Sequence, residues 1–249
     1  MKTPGFLLID KPAGLTSHDV VDRIRRLTGE KRVGHAGTLD PFATGLLIVA
    51  VGREATREMK NFSGLDKDYE AIFLLGAESD TDDRTGKIEA TSDKRQVTSD
   101  EIEMAMQKFI GEIDQVPPTY AAIKIGGKKM YEAAREGKPI VASPRHVTVH
   151  AFNLIEITPL QPLPSLTPLL SLRVHISCSS GTYIRAIARD LGRALKTGAY
   201  VEDLRRTRIG PIPLTEAVPL STLNTETVAR YLLPIPTLLA RLVPALPTS

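Results

Sequence analysis

The stretch Gly34-His35-Ala36-Gly37-Thr38-Leu39-Asp40-Pro41-Phe42-Ala43-Thr44-Gly45-Leu46-Leu47 organises the reading of this chain. It holds three glycines, one proline and one carboxylate, and an apolar run continues through Ile48, Val49, Ala50 and Val51. Glycine opens backbone conformations closed to other residues, while proline fixes its own φ and restrains the residue before it. Asp40 is therefore expected on a constrained loop that runs into a buried strand, an arrangement that presents one side chain rigidly. An isolated Asp-Pro reads as a plain turn; three glycines around it and a core strand behind it ask for more.

Working outward, residues 6–9 read as a short buried strand ending at Asp10-Lys11-Pro12. Thr16 and Asp19 have capping-box spacing and open a helix from Ser17 to about Thr28, with Val20, Val21, Ile24 and Leu27 on its apolar face. Tyr69 begins a strand in which Tyr69, Ala71, Phe73 and Leu75 share a face. A helix near 99–110 is capped by Thr98 and Glu101 and turns Ile102, Ala105, Met106, Phe109 and Ile110 inward. A short helix around 129–136 stops at Gly137. Residues 145–157 look extended, and 158–168, with four prolines, read as a surface loop between strands.

The clearest strand alternates Leu170, Leu172, Val174, Ile176 and Cys178 with Ser171, Arg173, His175 and Ser177. The helix from about 182 to 196 buries Ile184, Ile187, Leu191 and Leu195 and leaves Arg189 and Arg193 as surface arginines. Strands and helices mix without regular βαβ alternation, which favours an α+β domain on a mixed sheet. The expected division is one domain over 1–225 and a short proline-rich C-terminal tail over 226–249, punctuated by Pro234, Pro236, Pro244 and Pro247.

Bulk properties narrow the function. The formal charge is only +3 and the sequence pI is near 8.9, so local distribution must decide about nucleic acid. Basic residues bunch at Arg23, Arg25, Arg26, Lys31 and Arg32, at Lys124, Lys128 and Lys129, and at Arg205, Arg206 and Arg208, which suggests a phosphate-contacting face. The single cysteine, Cys178, forms no intrachain disulfide, reads as core and suits a reducing cytoplasm. No signal pattern or membrane-length apolar run is present. The five histidines lack metal-ligand spacing, and there is no Walker loop or GxGxxG, so neither metal nor cofactor is expected.

The Asp40 segment resembles the catalytic loop of the TruB family, the bacterial tRNA pseudouridine-55 synthases. Gly5–Ser17 (GFLLIDKPAGLTS) resembles the family's opening strand and Lys-Pro motif, and Lys67-Asp68-Tyr69-Glu70-Ala71 its active-site tyrosine segment. Asp80-Thr81-Asp82-Asp83 fits the acidic turn, and the stretch from Pro117-Pro118 to Arg135 fits PP-x-Y-x-A-x-K and YE-x-AR. Cys178-Ser179-Ser180-Gly181-Thr182-Tyr183-Ile184-Arg185 and Leu204-Arg205-Arg206 complete the set. The resemblance implies the pseudouridine-synthase fold, a large, mostly antiparallel mixed sheet flanked by helices with a central catalytic cleft. It also implies a cofactor-independent isomerase that flips a T-loop uridine of tRNA and rebuilds its glycosidic bond from N1–C1′ to C5–C1′. Longer family members carry a C-terminal RNA-binding (PUA) domain for which few residues remain here.

The same resemblance implies the residue roles. Asp40 is the nucleophile or base near C1′, C2′ or C6. Arg185, in the first turn of its helix, is the cation that keeps Asp40 ionised, since a carboxylate in a low-dielectric pocket otherwise takes up a proton. Asp83 makes a second contact to Arg185. Tyr69 stacks on the flipped uracil and Leu204 closes from the other side; base–aromatic stacking is worth roughly 1–3 kcal/mol. His35 fills space the base vacates. Tyr183 and Arg205 are further substrate-side residues, while Lys11 and Pro12 buttress the loop from the neighbouring strand. Arg206 supports the fold or contacts phosphate.

Three other readings are open. The chain could be an RNA-folding helper whose loop opening matters more than its chemistry. A guide-RNA particle's catalytic subunit shares the Asp motif but needs partner-binding regions not evident here. Asp40 and Asp83 could suggest a two-carboxylate glycosidase, against which the 5% aromatic content speaks. The expected state is a cytoplasmic monomer whose partner is tRNA, with no obligate protein partner and no membrane association.

Overall fold

The computed structural model describes residues 3–91, 97–121, 123–138, 140, 142–160 and 170–242. In chain order the first strands and helices are β1 (Gly5–Lys11), α1 (Ser17–Thr28), β2 (Val33–Ala36), β3 (Thr44–Val51), α2 (Arg53–Glu58), α3 (Lys60–Ser63) and β4 (Lys67–Leu75). The middle of the chain forms β5 (Ala77–Ser79), β6 (Ile88–Ala90), α4 (Ser99–Gln107), β7 (Gly111–Gln115), β8 (Lys124–Ile125), β9 (Lys128–Lys129), α5 (Met130–Arg135), β10 (Arg145–Pro159) and β11 (Leu170–Cys178). Then come α6 (Ile184–Leu195), β12 (Ala199–Ile209), β13 (Ile212–Pro213), β14 (Val218–Pro219), β15 (Leu233–Pro234) and α7 (Ile235–Leu239). The fold is mixed α/β with a large, mostly antiparallel sheet in which β1–β14 and β3–β12 pair in parallel.

The chain divides into two compact units, one of Met1–Tyr69 with Arg205–Ser249 and one of Glu70–Leu204. β4 and β12 each contribute residues to both. In the first unit β3 is central. It pairs with β1 in antiparallel register from Gly5↔Val51 to Lys11↔Gly45. On its other edge it pairs with β2 (Val33↔Val51 to Ala36↔Ile48) and, at its start, with β12 (Arg205↔Thr44, Arg206↔Gly45). The loop carrying Asp40 joins the end of β2 to the start of β3.

The alternation of side chains along a strand explains why the run from Leu46 to Val51 is apolar throughout. Leu7, Ile9, Leu47, Val49 and Val51 bury one face with Val20, Val21 and Ile24 of α1. Phe6, Leu8, Leu46, Ile48 and Ala50 bury the other with Phe62 and Leu238. Helix α1 begins where expected, on the Thr16–Asp19 capping box.

Residues past 225 differ from the expected tail. Leu233 and Pro234 pair with Phe6 and Gly5 of β1. Leu238 is buried, Leu233, Ile235, Leu239 and Leu242 pack on the same core cluster, and Arg241 pairs with Glu216. The prolines punctuate this segment, but its leucines cover a face of β1 that water would otherwise reach. Pro244 and Pro247 lie outside the described residues; of the loop expected over 158–168, Thr158 and Pro159 instead end β10 and residues 161–168 lie outside the described residues.

The second unit runs β7–β10–β11–β4 in hydrogen-bonded order, with β10 antiparallel to both β7 and β11. Helix α4 starts on the Thr98–Glu101 capping box and ends at Gln107, short of the expected 110. Ile110, expected inward, is 39% exposed because it follows the last helical turn and leaves the helix's apolar stripe. Phe109 does pack, edge-on to Phe152 at 6.4 Å.

Candidate active site

The Asp40 loop is held by its backbone. Ser17, at the start of α1, accepts a hydrogen bond from Leu39 N at 2.9 Å and donates to Leu39 O at 3.2 Å. Lys11 Nζ donates to Pro41 O at 3.3 Å and closes a turn of its own chain through Pro12 O (2.9 Å) and Leu15 O (2.7 Å). Arg206 donates to Gly37 O (3.1 Å), Thr38 O (3.4 Å) and Leu46 O (2.8 Å). Ala43 N donates to Asp40 O, and Gly14 N to Pro41 O. Every carbonyl from Gly37 to Pro41 is thus satisfied, and the half-buried Asp40 side chain projects from a backbone with little freedom.

Register explains how two cations reach one loop. Lys11 and Arg206 are the residues opposite Gly45 on its two neighbouring strands. Both are buried, at 0% and 1% exposure. Gly45 has φ +104°, and a Cβ built on it lies 2.3 Å from Arg206 O, so no other residue fits this close approach. A buried ammonium needs all three of its protons engaged, and the three carbonyls around Lys11 do that. Burial nonetheless pushes the Lys11 amine down to about 8; the Asp40 and Asp19 carboxylates pull it back up, and Arg206 adds to the depression.

His35 lies on β2 opposite Val49. Among the described residues its Nδ1 is buried without a hydrogen-bond partner. Burial first, then the charges of Arg206 and His18, hold its pKa below the usual histidine value against the opposing pull of the Gly37 backbone, so it is a neutral imidazole at pH 7. Pro12 is exposed and contributes its carbonyl to Lys11. Tyr69 is buried on β4, on the face it shares with Ala71 and Phe73.

Lys67 escaped sequence reasoning although it lies two residues before Tyr69 on the same face. It is buried, its Nζ donates to Ser63 O and Leu65 O, and its chain passes beneath Gly37. The period-2 pattern extended two residues back would have found it.

The third basic run behaves differently from a phosphate-binding row. Arg205 forms a two-pronged pair with Asp10 (3.1 and 2.6 Å), and Arg208 does the same with Asp68 (2.5 and 2.9 Å). Arg206 points the opposite way, into the loop. Alternation within a strand sends Arg205 and Arg206 to opposite faces, and the carboxylates of Asp10 and Asp68 neutralise Arg205 and Arg208.

In the second unit the structure brings Arg185 and Asp83 together. The pair is separated by 3.5 Å, with both residues under 5% exposed. Arg185 also donates to Thr81 O (2.9 Å) and Tyr120 O (3.2 Å). Asp83 accepts from Thr85 N and from the hydroxyls of Thr81 and Thr85. Tyr183 is the N-cap residue of α6, and buried Gln115 clamps it by accepting from Tyr183 N (2.8 Å) and donating to Tyr183 O (3.1 Å). Leu204 is buried on β12. Asp40 and Arg185 belong to different units.

Arg189, expected at the surface, is instead enclosed. It pairs with Asp82 (3.2 Å) and Asp190 (2.8 Å) and donates to Val116 O (2.9 Å). It lies one helical turn after Arg185 and so on the same face. Arg193 is exposed as expected. Gln115 and Arg189 left no mark in the sequence because Tyr183, Asp82 and Val116, which they hold, lie far along the chain.

Among the described residues, no helix is long and apolar enough to cross a membrane. Residues 25–184 match the profile of the TruB family pseudouridylate synthase (N terminal domain), and residues 185–240 match the tRNA pseudouridylate synthase B C-terminal domain. The tRNA pseudouridine synthase B of Mycobacterium sp. (strain KMS) is 44% identical over 222 residues, 89% of this chain and 72% of that protein. The protein of the same name from Corynebacterium efficiens is 43% identical over 246 residues, 99% of this chain and 80% of its own. Among solved structures, a chain from a Cbf5–Nop10–Gar1 complex aligns with a TM-score of 0.65 at 29% identity, covering 87% of this chain and 52% of its own. One from an H/ACA RNP bound to a substrate RNA containing 2′-deoxyuridine gives 0.62 at 28%, covering 87% and 51%. This chain therefore spans about half the length of those two. With both profiles matched end to end and relatives of this identity over most of its length, the chain belongs to the TruB family of pseudouridylate synthases.

Proposed function

We propose that this protein isomerises uridine to pseudouridine at position 55 in the T-loop of tRNA. The observation that carries the reading is the Asp40 loop, whose carbonyls are tied down from Gly37 to Pro41, so that its carboxylate is presented from a rigid backbone. Rigid presentation of one carboxylate suits a reaction that breaks and remakes a single C1′ bond, because misplacement by about 1 Å can cost on the order of 10²-fold in rate. The reaction is redox-neutral and balanced: the base leaves through N1 and returns through C5, the C5 proton passes to solvent, and N1 takes up a proton in its place.

Asp40 is assigned the attack or the proton removal, and Tyr69 the stacking and a part in proton transfer at C5. Arg185 is assigned the cationic partner role, with Asp83 orienting it. His35, a neutral imidazole with a buried unpartnered nitrogen, is assigned to the space of the displaced base, and Leu204 and Tyr183 to its surround. Arg205, already engaged by Asp10, is assigned to tying β12 to β1 across the start of β3 rather than to substrate. The proposed setting is the cytoplasm, with tRNA as partner and the protein acting as a monomer.

The test is to map pseudouridine in an unmodified tRNA transcript after incubation with the protein. A single new pseudouridine in the T-loop is expected. Modification elsewhere only, or tight binding with no modification, contradicts the reading, the latter in favour of an RNA-folding helper.

A further inference from the structure

Two arginines one turn apart on α6 grip the same two backbone segments. Arg185 takes Thr81 O and the Asp83 carboxylate, and Arg189 takes the Asp82 carboxylate between them. On the other side Arg185 takes Tyr120 O and Arg189 takes Val116 O, one residue after Gln115, which itself clamps the backbone of Tyr183. The result is a ladder with two rungs, each joining the acidic turn and the 116–120 segment to the start of α6.

The turn is built to offer its carboxylates this way. Asp82 adopts φ +60°, unusual for a residue other than glycine. Asp82 N bonds back to Ser79 O, and a Cβ at Gly86 would lie 2.2–2.5 Å from side-chain oxygens of Asp80, Ser79 and Thr81. A left-handed residue between Thr81 and Asp83 aims three consecutive groups at one helix face. Burial pushes the Asp82 carboxyl up, and the guanidinium of Arg189, followed by those of Arg185 and Arg193, opposes that shift.

We propose that Arg189 and Asp82 are positioning residues for Arg185: their rung fixes the spacing of turn, helix and 116–120 segment that sets the Arg185 guanidinium. This rests on the assignment of Arg185 to the catalytic machinery. Losing the rung leaves Arg185 its own partners but lets the turn and segment shift, so the chemical step slows while tRNA binding holds.

The experiment measures single-turnover pseudouridine formation and tRNA Kd for the full-length wild type, Arg189→Met, Arg189→Lys, Asp82→Asn and the Asp82→Asn/Arg189→Met double variant. Arg189→Met and Asp82→Asn are each expected to lower the rate about 10-fold or more with Kd unchanged. Their combination should be no slower than either alone, because a shared interaction is lost only once. Arg189→Lys, which keeps the charge but not the fork, should recover part of the rate. A wild-type rate in either folded single variant, fully additive losses, or a weakened Kd with an unchanged rate overturns the proposal. Should Arg189→Met fail to fold, Asp82→Asn alone decides. An inactive wild type would instead sink the isomerase reading, whereas an active wild type with unaffected variants sinks only this one.

Discussion

Lys11 shows how one buried residue couples structure to pH. Its ammonium has three protons for three carbonyls, and a neutral amine has two. As pH rises through about 8, one carbonyl loses its partner and Asp40 loses a neighbouring cation. The rate of isomerisation is therefore expected to fall above about pH 8 in wild type, measured as a single-turnover rate–pH profile. Stability moves the other way. Because the folded pKa lies below the ordinary lysine value of 10.5, charged Lys11 costs stability below about 8, and this cost is relieved from there to about 10.5. Urea denaturation of wild type relative to Lys11→Met should show the difference rising across that window. Gly45 offers a sharper test: with φ +104° and Arg206 O in the way of any Cβ, Gly45→Ala should cost at least about 3 kcal/mol by chemical denaturation.

At the scale of elements, helix α1 is both a packing element and a tether. Its capping box fixes where it starts, and its first residue, Ser17, holds Leu39. The two contributions separate by mutation. Thr16→Ala should cost about 1 kcal/mol of stability while leaving the Ser17–Leu39 bonds and the rate nearly intact. Ser17→Ala leaves two buried backbone groups of the Asp40 loop without partners and should depress the rate more than it lowers Tm. Elements of this kind were legible in the sequence: the capping boxes, the alternation in β11 and the apolar run of β3 are local signals, and each appears where it was read. The site's supports were not. Lys11 to Pro41, Ser17 to Leu39, Arg206 to Gly37 and Arg189 to Val116 are side-chain-to-backbone contacts across long separations, and a backbone carbonyl has no letter in the sequence.

For the molecule as a whole, the segment past residue 225 is part of a core rather than an appendage. Leu238 packs with Phe6, Phe62 and Ile48, so Leu238→Ala should cost about 2–5 kcal/mol, read by denaturation, whereas a free tail would give no change. Its prolines suggested separation; the leucines between them, which a proline count passes over, bring it back onto β1. The family followed from motifs spread from Gly5 to Arg206, and the geometry adds why those residues must recur together: strands β1, β3 and β12 meet at Gly45 to lock the loop in front of Asp40. The most direct test of the account is tritium release from tRNA labelled at uridine C5, comparing wild type with Asp40→Asn at saturating protein. Release by wild type, and its loss in Asp40→Asn with tRNA Kd and Tm preserved, is the predicted result; comparable release by both proteins would contradict the central role given to Asp40.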